Sequence, residues 1–234
     1  MPEAIVETFG VTHRYAGVLA LDNISLRIER GSFAGVFGPN GAGKSTLSLV
    51  LGGMLAPTQG RVVSAGGVRL ALVPEGRRLF GQLSVRENLQ LGAFALKEGR
   101  AQVNARLDEV LKLMPSSIRD GLARPAVTLS GGERQMLALG RALMCKPDVV
   151  LLDEPSLGLA PVMIERVYEV LSALHAKGAT IVVIEQMATH AMDYVDSMFV
   201  LDRGRLAYQG PMTGEAAERA LKAGYIGEQE PVGQ

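Results

Sequence analysis

The sequence predicts an α/β protein with a mostly parallel sheet, a small antiparallel β subdomain at the N-terminus and a helical lobe set into the middle of the chain. Three observations carry this expectation. The runs at 33–37, 149–152 and 180–184 carry no charged residue and do not alternate, as expected of strands buried on both faces. Stretches of helical periodicity separate them, so one strand reaches the next through a helical crossover. The first run also leads directly into Gly38-Pro39-Asn40-Gly41-Ala42-Gly43-Lys44-Ser45-Thr46, which fits G-x-x-x-x-G-K-[ST] without a mismatch, and then into the buried-helix pattern at 47–51.

Taken in order, residues 5–9 and 24–28 alternate apolar and polar and read as strands with one exposed face. Glu29-Arg30-Gly31 is a turn feeding the strand at 33–37. Residues 60–63 and 68–73 flank Ser64-Ala65-Gly66-Gly67, which predicts a tight hairpin. From about 84 to 122 the pattern is helical. Ser84-Val85-Arg86-Glu87 fits a capping box, and Val103, Leu107, Val110, Leu111 and Met114 recur at helical spacing until Pro115. Ser130 and Glu133 offer a second capping box, opening a helix over 134–145 that ends near Pro147. After the strand at 149–152, Pro161 suits the first turn of a helix with Ile164, Val167, Val170, Leu171 and Leu174 on one face, closed by Lys177-Gly178. Residues 197–201 begin a hairpin around Asp202-Arg203-Gly204, and the polar tail from Gly227 is expected to fray. The domain organisation expected is a single domain, with a core of 1–83 and 146–234 and a helical subdomain at about 84–145.

Composition narrows the function classes. With 47% hydrophobic residues among 234, a sizeable core is available. The 24 basic and 24 acidic residues cancel, which argues against bulk nucleic-acid binding. Cys145 is the only cysteine, which excludes an intramolecular disulfide and fits a reducing compartment; its apolar neighbours suggest packing rather than reactivity. The start Met1-Pro2-Glu3-Ala4 lacks a signal-peptide pattern, and no apolar run approaches the roughly 20 residues that cross a bilayer. A cytoplasmic protein, attached to membranes only through partners, is expected. His13, His175 and His190 are dispersed and suggest no metal site built from side chains alone, and Arg77 and Arg78, which could contact a partner, are read as a solvated loop.

The chemistry concentrates in three places. Backbone N–H groups of the glycine loop and the following helix N-terminus form an anion cradle. There Lys44 is expected to reach the β- and γ-phosphates, and the Ser45 hydroxyl to ligate Mg²⁺. Asp153 and Glu154 end an apolar strand, where Asp153 is placed to hold Mg²⁺ and Glu154 to polarise an attacking water as general base. Ser130 with Gly131 and Gly132 makes a second anion surface at a helix start. Two phosphate-directed surfaces in one chain suggest a head-to-tail pair in which each copy caps the nucleotide held by the other.

On these residues the chain resembles the ATP-binding subunits of ABC transporters, which are P-loop NTPases. Leu129-Ser130-Gly131-Gly132-Glu133-Arg134-Gln135 matches that family's LSGGQ signature, with Glu133 at the glutamine position. The order of motifs also matches, including Ser156-Leu157-Gly158-Leu159-Ala160 at the family's D-loop, and Tyr15 corresponds to the aromatic that stacks on adenine. The finer similarity is to importer ATPases for branched-chain amino acids and related amide or urea solutes. It rests on Pro74-Glu75-Gly76-Arg77-Arg78-Leu79-Phe80, on residues 154–161, on Ile184-Glu185-Gln186 and on Tyr225-Ile226-Gly227.

The resemblance implies ATP and Mg²⁺ as cofactors and a second ABC ATPase subunit, identical or related. It also implies two membrane-spanning permease subunits, a solute-binding protein acting indirectly, no nucleic acid, and a place on the inner face of the cell membrane. Nucleotide contacts are expected from Tyr15, from Gly38 through Thr46, and from Ser130, Gly131 and Gly132. Catalysis is expected from Lys44, Glu154 and Gln186, and metal contacts from Ser45, Glu75 and Asp153. Most relatives carry glutamine at Glu75 and histidine at Gln186. A carboxylate at Glu75 can approach Mg²⁺ or its water, while Gln186 can donate an N–H to the γ-phosphate without taking up a proton. Residues 60–71 are fewer than in most relatives, which suggests a trimmed antiparallel sheet with modest effect on catalysis. The stretch 81–94 is expected to border the groove for a permease helix. Two rivals remain: a soluble ABC-type ATPase acting on nucleic acid or ribosomes, which would call for two fused halves or long coiled-coil insertions, and a non-catalytic nucleotide sensor, against which Lys44, Asp153 and Glu154 speak.

Overall fold

The computed structural model describes residues 3–226. Gly227 and the polar tail read from the sequence lie outside them. The chain begins with β1 (Ala4–Tyr15), β2 (Val18–Ile24), β3 (Arg27–Glu29), β4 (Phe33–Phe37), α1 (Lys44–Leu51) and β5 (Gln59–Ser64). It continues with β6 (Leu70–Val73), α2 (Val85–Leu91), α3 (Arg100–Leu111), α4 (Ser116–Arg119), α5 (Gly131–Leu143), β7 (Val149–Asp153) and α6 (Pro161–His175). It closes with β8 (Thr180–Glu185), β9 (Ser197–Asp202), β10 (Arg205–Pro211) and α7 (Glu215–Ile226). These elements form two compact units. One takes the described residues up to Val68 and from Thr180 onward, and the other is Arg69–Ala179.

In the first unit β4 runs parallel to both β8 and β9, pairing Phe33 with Ile181 and Phe37 with Glu185 and Val200. Every residue of β4 and β8 is buried, which is why their sequences do not alternate. β10 returns antiparallel on β9 through Arg203 and Gly204, as the sequence suggests. A second, antiparallel sheet has the order β2-β1-β3, with β5 also on β1. The run 24–28, read as one strand, is divided between β2 and β3. Buried Thr8 fills the break: its hydroxyl donates to the Ile24 carbonyl at 3.0 Å and accepts the Leu26 N–H at 2.9 Å.

The hairpin expected over 60–73 does not form. β5 pairs antiparallel with β1, from Val6↔Ser64 to Thr12↔Gln59, whereas β6 pairs parallel with β7, from Leu70↔Val149 to Val73↔Leu152. A turn does exist, since the Val68 N–H meets the Ala65 carbonyl at 3.2 Å. The two flanks have different needs, however. β5 is exposed along most of its length and suits a sheet edge, while Ala71 and Val73 are buried.

The second unit carries α2 through α5 together with β6, β7 and α6. Its core centres on α5, where residues 135–140 are all buried, and on Leu89, Leu107, Met114 and Ile118. Both expected capping boxes are present. The Ser84 hydroxyl accepts the Glu87 N–H and the Glu87 carboxylate accepts the Ser84 N–H, with the same exchange between Ser130 and Glu133. One turn into α2, fully buried Asn88 fastens the preceding loop. Its Oδ1 accepts the Phe80 N–H at 3.0 Å, and its Nδ2 lies 3.0 Å from the Phe80 and Ser84 carbonyls and 3.2 Å from that of Leu83. Asn88→Leu keeps the volume but strands these backbone groups. We expect a loss of about 2–3 kcal/mol, read as a lower urea midpoint at unchanged slope; an unchanged midpoint would show that the loop is held by other contacts.

Candidate functional site

In the first unit, β4 ends at Phe37 and the glycine loop begins. Gly43 caps α1 with φ of 98° and ψ of 5°, and a Cβ there would stand 2.4 Å from the Ala20 carbonyl oxygen of β2. Only glycine satisfies both the left-handed backbone and the close approach. The turn between β9 and β10 fastens the loop further. The Gly204 N–H donates to the Ala42 carbonyl at 3.0 Å, and the Gly204 carbonyl accepts the Asp22 N–H at 2.8 Å. Lys44 is buried, and its Nζ donates to the carbonyls of Gly38 at 2.8 Å and Pro39 at 3.1 Å. The ammonium is therefore bound to the very loop whose N–H groups and helix dipole favour an anion. Asn40, Gly41 and Ser45 are exposed, Thr46 is half-buried and Ala42 is buried.

Two further expected residues fall in the same unit. Gln186 follows Glu185, the register partner of Phe37, so it leaves the sheet beside Gly38. Tyr15 ends β1 at the β1–β2 hairpin, 45% exposed, with the His13 ring edge-on at 4.6 Å. An accessible aromatic face on the strand pair that contacts the loop is suited to stacking on a purine.

In the second unit, β7 is wholly buried and ends at Asp153, which is 5% exposed. Glu154 follows in a left-handed conformation, φ 48°, which costs a non-glycine residue about 1–2 kcal/mol. The turn it opens is closed by the Leu157 N–H on the Glu154 carbonyl at 3.2 Å. Because Val73 pairs with Leu152, the segments that carry Glu75 and Asp153 leave the β6–β7 pair at the same end. Glu75 is exposed there. Ser130 is the N-cap of α5 and is exposed, Gly131 is half-buried, and buried Gly132 lies against Met163 of α6. The Ser130 N–H on its carboxylate, with Arg124 3.3 Å away adding less, holds Glu133 below the usual carboxylate range.

The loop after Glu75 departs from the solvated segment expected. Gly76, Arg77 and Arg78 are all left-handed, at φ 77°, 64° and 41°. Arg77 donates Nε to Gln135 Oε1 at 2.8 Å and Nη2 to the Leu157 carbonyl at 3.2 Å. Arg141 donates to the carbonyls of Arg78 at 2.9 Å and Arg77 at 3.1 Å. Burial lowers the guanidinium pKa of both arginines from its ordinary value. Sequence reasoning missed Arg77, Gln135 and Arg141. The one available signal was Gln135, an amide on the otherwise apolar buried face of α5.

Beside this loop lies a cleft of about 420 Å³ lined in part by Phe80, Leu91, Phe94, Ala138, Arg141 and Cys145. Phe94 is 84% exposed and Phe80 56%. Cys145 is half-buried and its thiol donates to the Ala142 carbonyl at 3.1 Å; burial raises its pKa, so it stays protonated near neutrality.

The chain is similar to known proteins along most of its length. Residues 21–157 match the ABC transporter family. The high-affinity branched-chain amino acid transport ATP-binding protein BraG of Pseudomonas aeruginosa is 38% identical over 229 residues, covering 93% of this chain and 97% of that protein. An ATP-binding cassette of an ABC transporter in its ADP conformation superposes with a TM-score of 0.81 at 25% identity, covering 97% of this chain and 100% of that one. A dimeric cassette in a post-hydrolysis state bound to ADP and Pi gives 0.79 at 25% identity, over 89% of this chain and 99% of that one.

The capping carboxylate at the start of α5 has a pH signature. Glu133 has a folded pKa below its unfolded value, so its stabilisation is complete above the unfolded pKa of about 4.3 and is lost as pH falls through the lower folded value. Glu133→Gln keeps an acceptor oxygen but does not titrate. Urea midpoints measured from pH 7 downward should show a shallower acid limb in the variant; superimposable limbs would mean the box does not titrate with folding.

Proposed function

The chain belongs to the ABC transporter family, and on that premise we propose that it is the ATP-hydrolysing subunit of an importer for branched-chain amino acids or related amide or urea solutes. Family membership carries the ATP hydrolysis. The similarity to BraG over nearly the whole chain supports the solute class. The observation that carries the working arrangement is the start of α5, where exposed Ser130 and half-buried Gly131 present a second anion-binding helix end besides that of α1. A chain with two such ends is accounted for by pairing, the signature of one subunit capping ATP on the phosphate loop of the other. The likeness to a dimeric cassette that holds ADP and Pi supports this.

In this reading Tyr15 stacks on the adenine and the N–H groups from Gly38 to Thr46 bind the phosphates. Lys44 offsets the charge on the β- and γ-phosphates. Glu154 orients and polarises the water for in-line attack, and Gln186 donates an N–H that fixes the γ-phosphate. The facing subunit's signature hydroxyl and N–H groups complete the cradle. The Ser45 hydroxyl and the carboxylates of Asp153 and Glu75 are hard oxygen donors that suit Mg²⁺, which when bound would neutralise phosphate charge. Among the described residues no three His, Cys, Asp or Glu gather into a cluster that could hold a metal ion.

No helix among the described residues is long and apolar enough to cross a membrane. The proposal assigns attachment to two permease subunits at the cytoplasmic face of the membrane, with a solute-binding protein acting through them. The cleft bearing Phe80 and Phe94 supports this, because an amphipathic permease helix would bury the exposed rings.

ATPase rate should rise faster than linearly with subunit concentration until pairing saturates. Glu154→Gln should lower kcat about 10²- to 10⁴-fold and leave an ATP-dependent dimer on size exclusion. Gln186→Ala should cost less; hydrolysis that survives Glu154→Gln but is abolished by Gln186→Ala would reverse the two roles. For the solute, vesicles containing the co-purified transporter should take up leucine, or a urea-type solute in the narrower alternative, only with ATP inside. ATP-driven uptake of neither would remove the importer assignment.

A further inference from the structure

Two arginines hold the Glu75 loop, and nothing in the reaction outlined above makes use of them. Arg77 reaches Gln135 with Nε at 2.8 Å and the Leu157 carbonyl with Nη2 at 3.2 Å. Arg141, further along the helix that begins at the signature, grips the carbonyls of Arg77 and Arg78. Arg77 and Arg78 are both in the left-handed region, which neither residue adopts by preference, so these bonds impose the loop geometry. Gln135 is buried and fixed in the body of α5. Leu157 lies three residues beyond Glu154, with its side chain half-exposed. One guanidinium thus joins the Glu75 loop, the signature helix and the turn that follows Glu154.

We infer that Arg77 is a positioning residue for Glu75. It holds the Glu75 loop in register with the signature helix and the Leu157 turn, so that a load on either shifts Glu75. The inference rests on the proposed ATPase reading and names a coupling within it. The planar fork of arginine matters, because its two donors meet an amide oxygen and a carbonyl at once; a lysine at this position has a single nitrogen and cannot reproduce that geometry. A clamp that served folding alone would lower stability without separating the kinetic constants.

The test compares Arg77→Ala, Arg77→Lys, Gln135→Ala, Gln135→Glu and the double variant Arg77→Ala/Gln135→Ala in the purified full-length protein with its partner subunits. Backbone amide exchange at residues 76–80, measured without nucleotide, should speed up about fivefold or more in Arg77→Ala while α5 is unchanged. Arg77→Lys, which retains the charge, should speed it up as well. In both variants kcat should fall about five- to tenfold and the Mg²⁺ concentration for half-maximal rate should rise. The KM for ATP and the affinity for a fluorescent ATP analogue in EDTA should stay within about twofold of wild type. The double variant should be no worse than Arg77→Ala, and Gln135→Glu, which keeps the acceptor, should behave as wild type. Wild-type exchange and kcat in Arg77→Ala overturn the inference alone. So does a parallel fall of kcat, analogue affinity and melting temperature. A wild-type complex that hydrolyses no ATP overturns it together with the reading beneath it.

Discussion

A strand buried on both faces can offer polar chemistry only where it ends. That constraint organises each half of the molecule. In the first unit, parallel pairing brings Phe37 and Glu185 to the same end, so that the glycine loop and Gln186 leave the sheet side by side. In the second, the pairing of Val73 with Leu152 does the same for the segments carrying Glu75 and Asp153. No loop has to search for its place, because strand register sets where each functional segment begins. The apolar interiors of β4, β7 and β8 are as much a condition of the proposed chemistry as the carboxylates and the lysine.

Departure from the sheet is abrupt, and the backbone registers it. Glu154, Arg77 and Arg78 take left-handed conformations although none is glycine. Such strain persists only where the surroundings over-determine it. For Arg77 and Arg78 the surroundings are visible: the side chain of Arg141 holds both carbonyls, and Gln135 and Leu157 hold the Arg77 fork. α5 is central to this arrangement. Its first residues form the signature, its apolar face fills the core, and two of its polar side chains fix the loop that bears Glu75.

The parts legible in the sequence are those whose rule is local. The glycine loop, both S-x-x-E caps, the Pro161 helix start and the unbroken buried strands each depend on neighbours within a few residues, and each is found where its pattern lies. What was not legible depends on distant partners. The run 60–73 has hairpin composition, yet β5 and β6 take different partners because one flank is exposed and the other has buried positions to fill. Arg77 resembles any basic loop residue until Gln135 and Leu157, 58 and 80 positions away, are brought to it. Nothing local in the sequence marks Asn88 as buried, yet it completes the hydrogen bonding of a loop.

The cleft that carries Phe80 and Phe94 also contains the only sulfhydryl of the chain, at Cys145, and the chain has no tryptophan. A half-buried thiol in the wall of a cleft is accessible to reagents only where nothing covers that surface. Maleimide chemistry on the unaltered polypeptide would therefore act as a clock for the occupancy of that surface, free of competing cysteines.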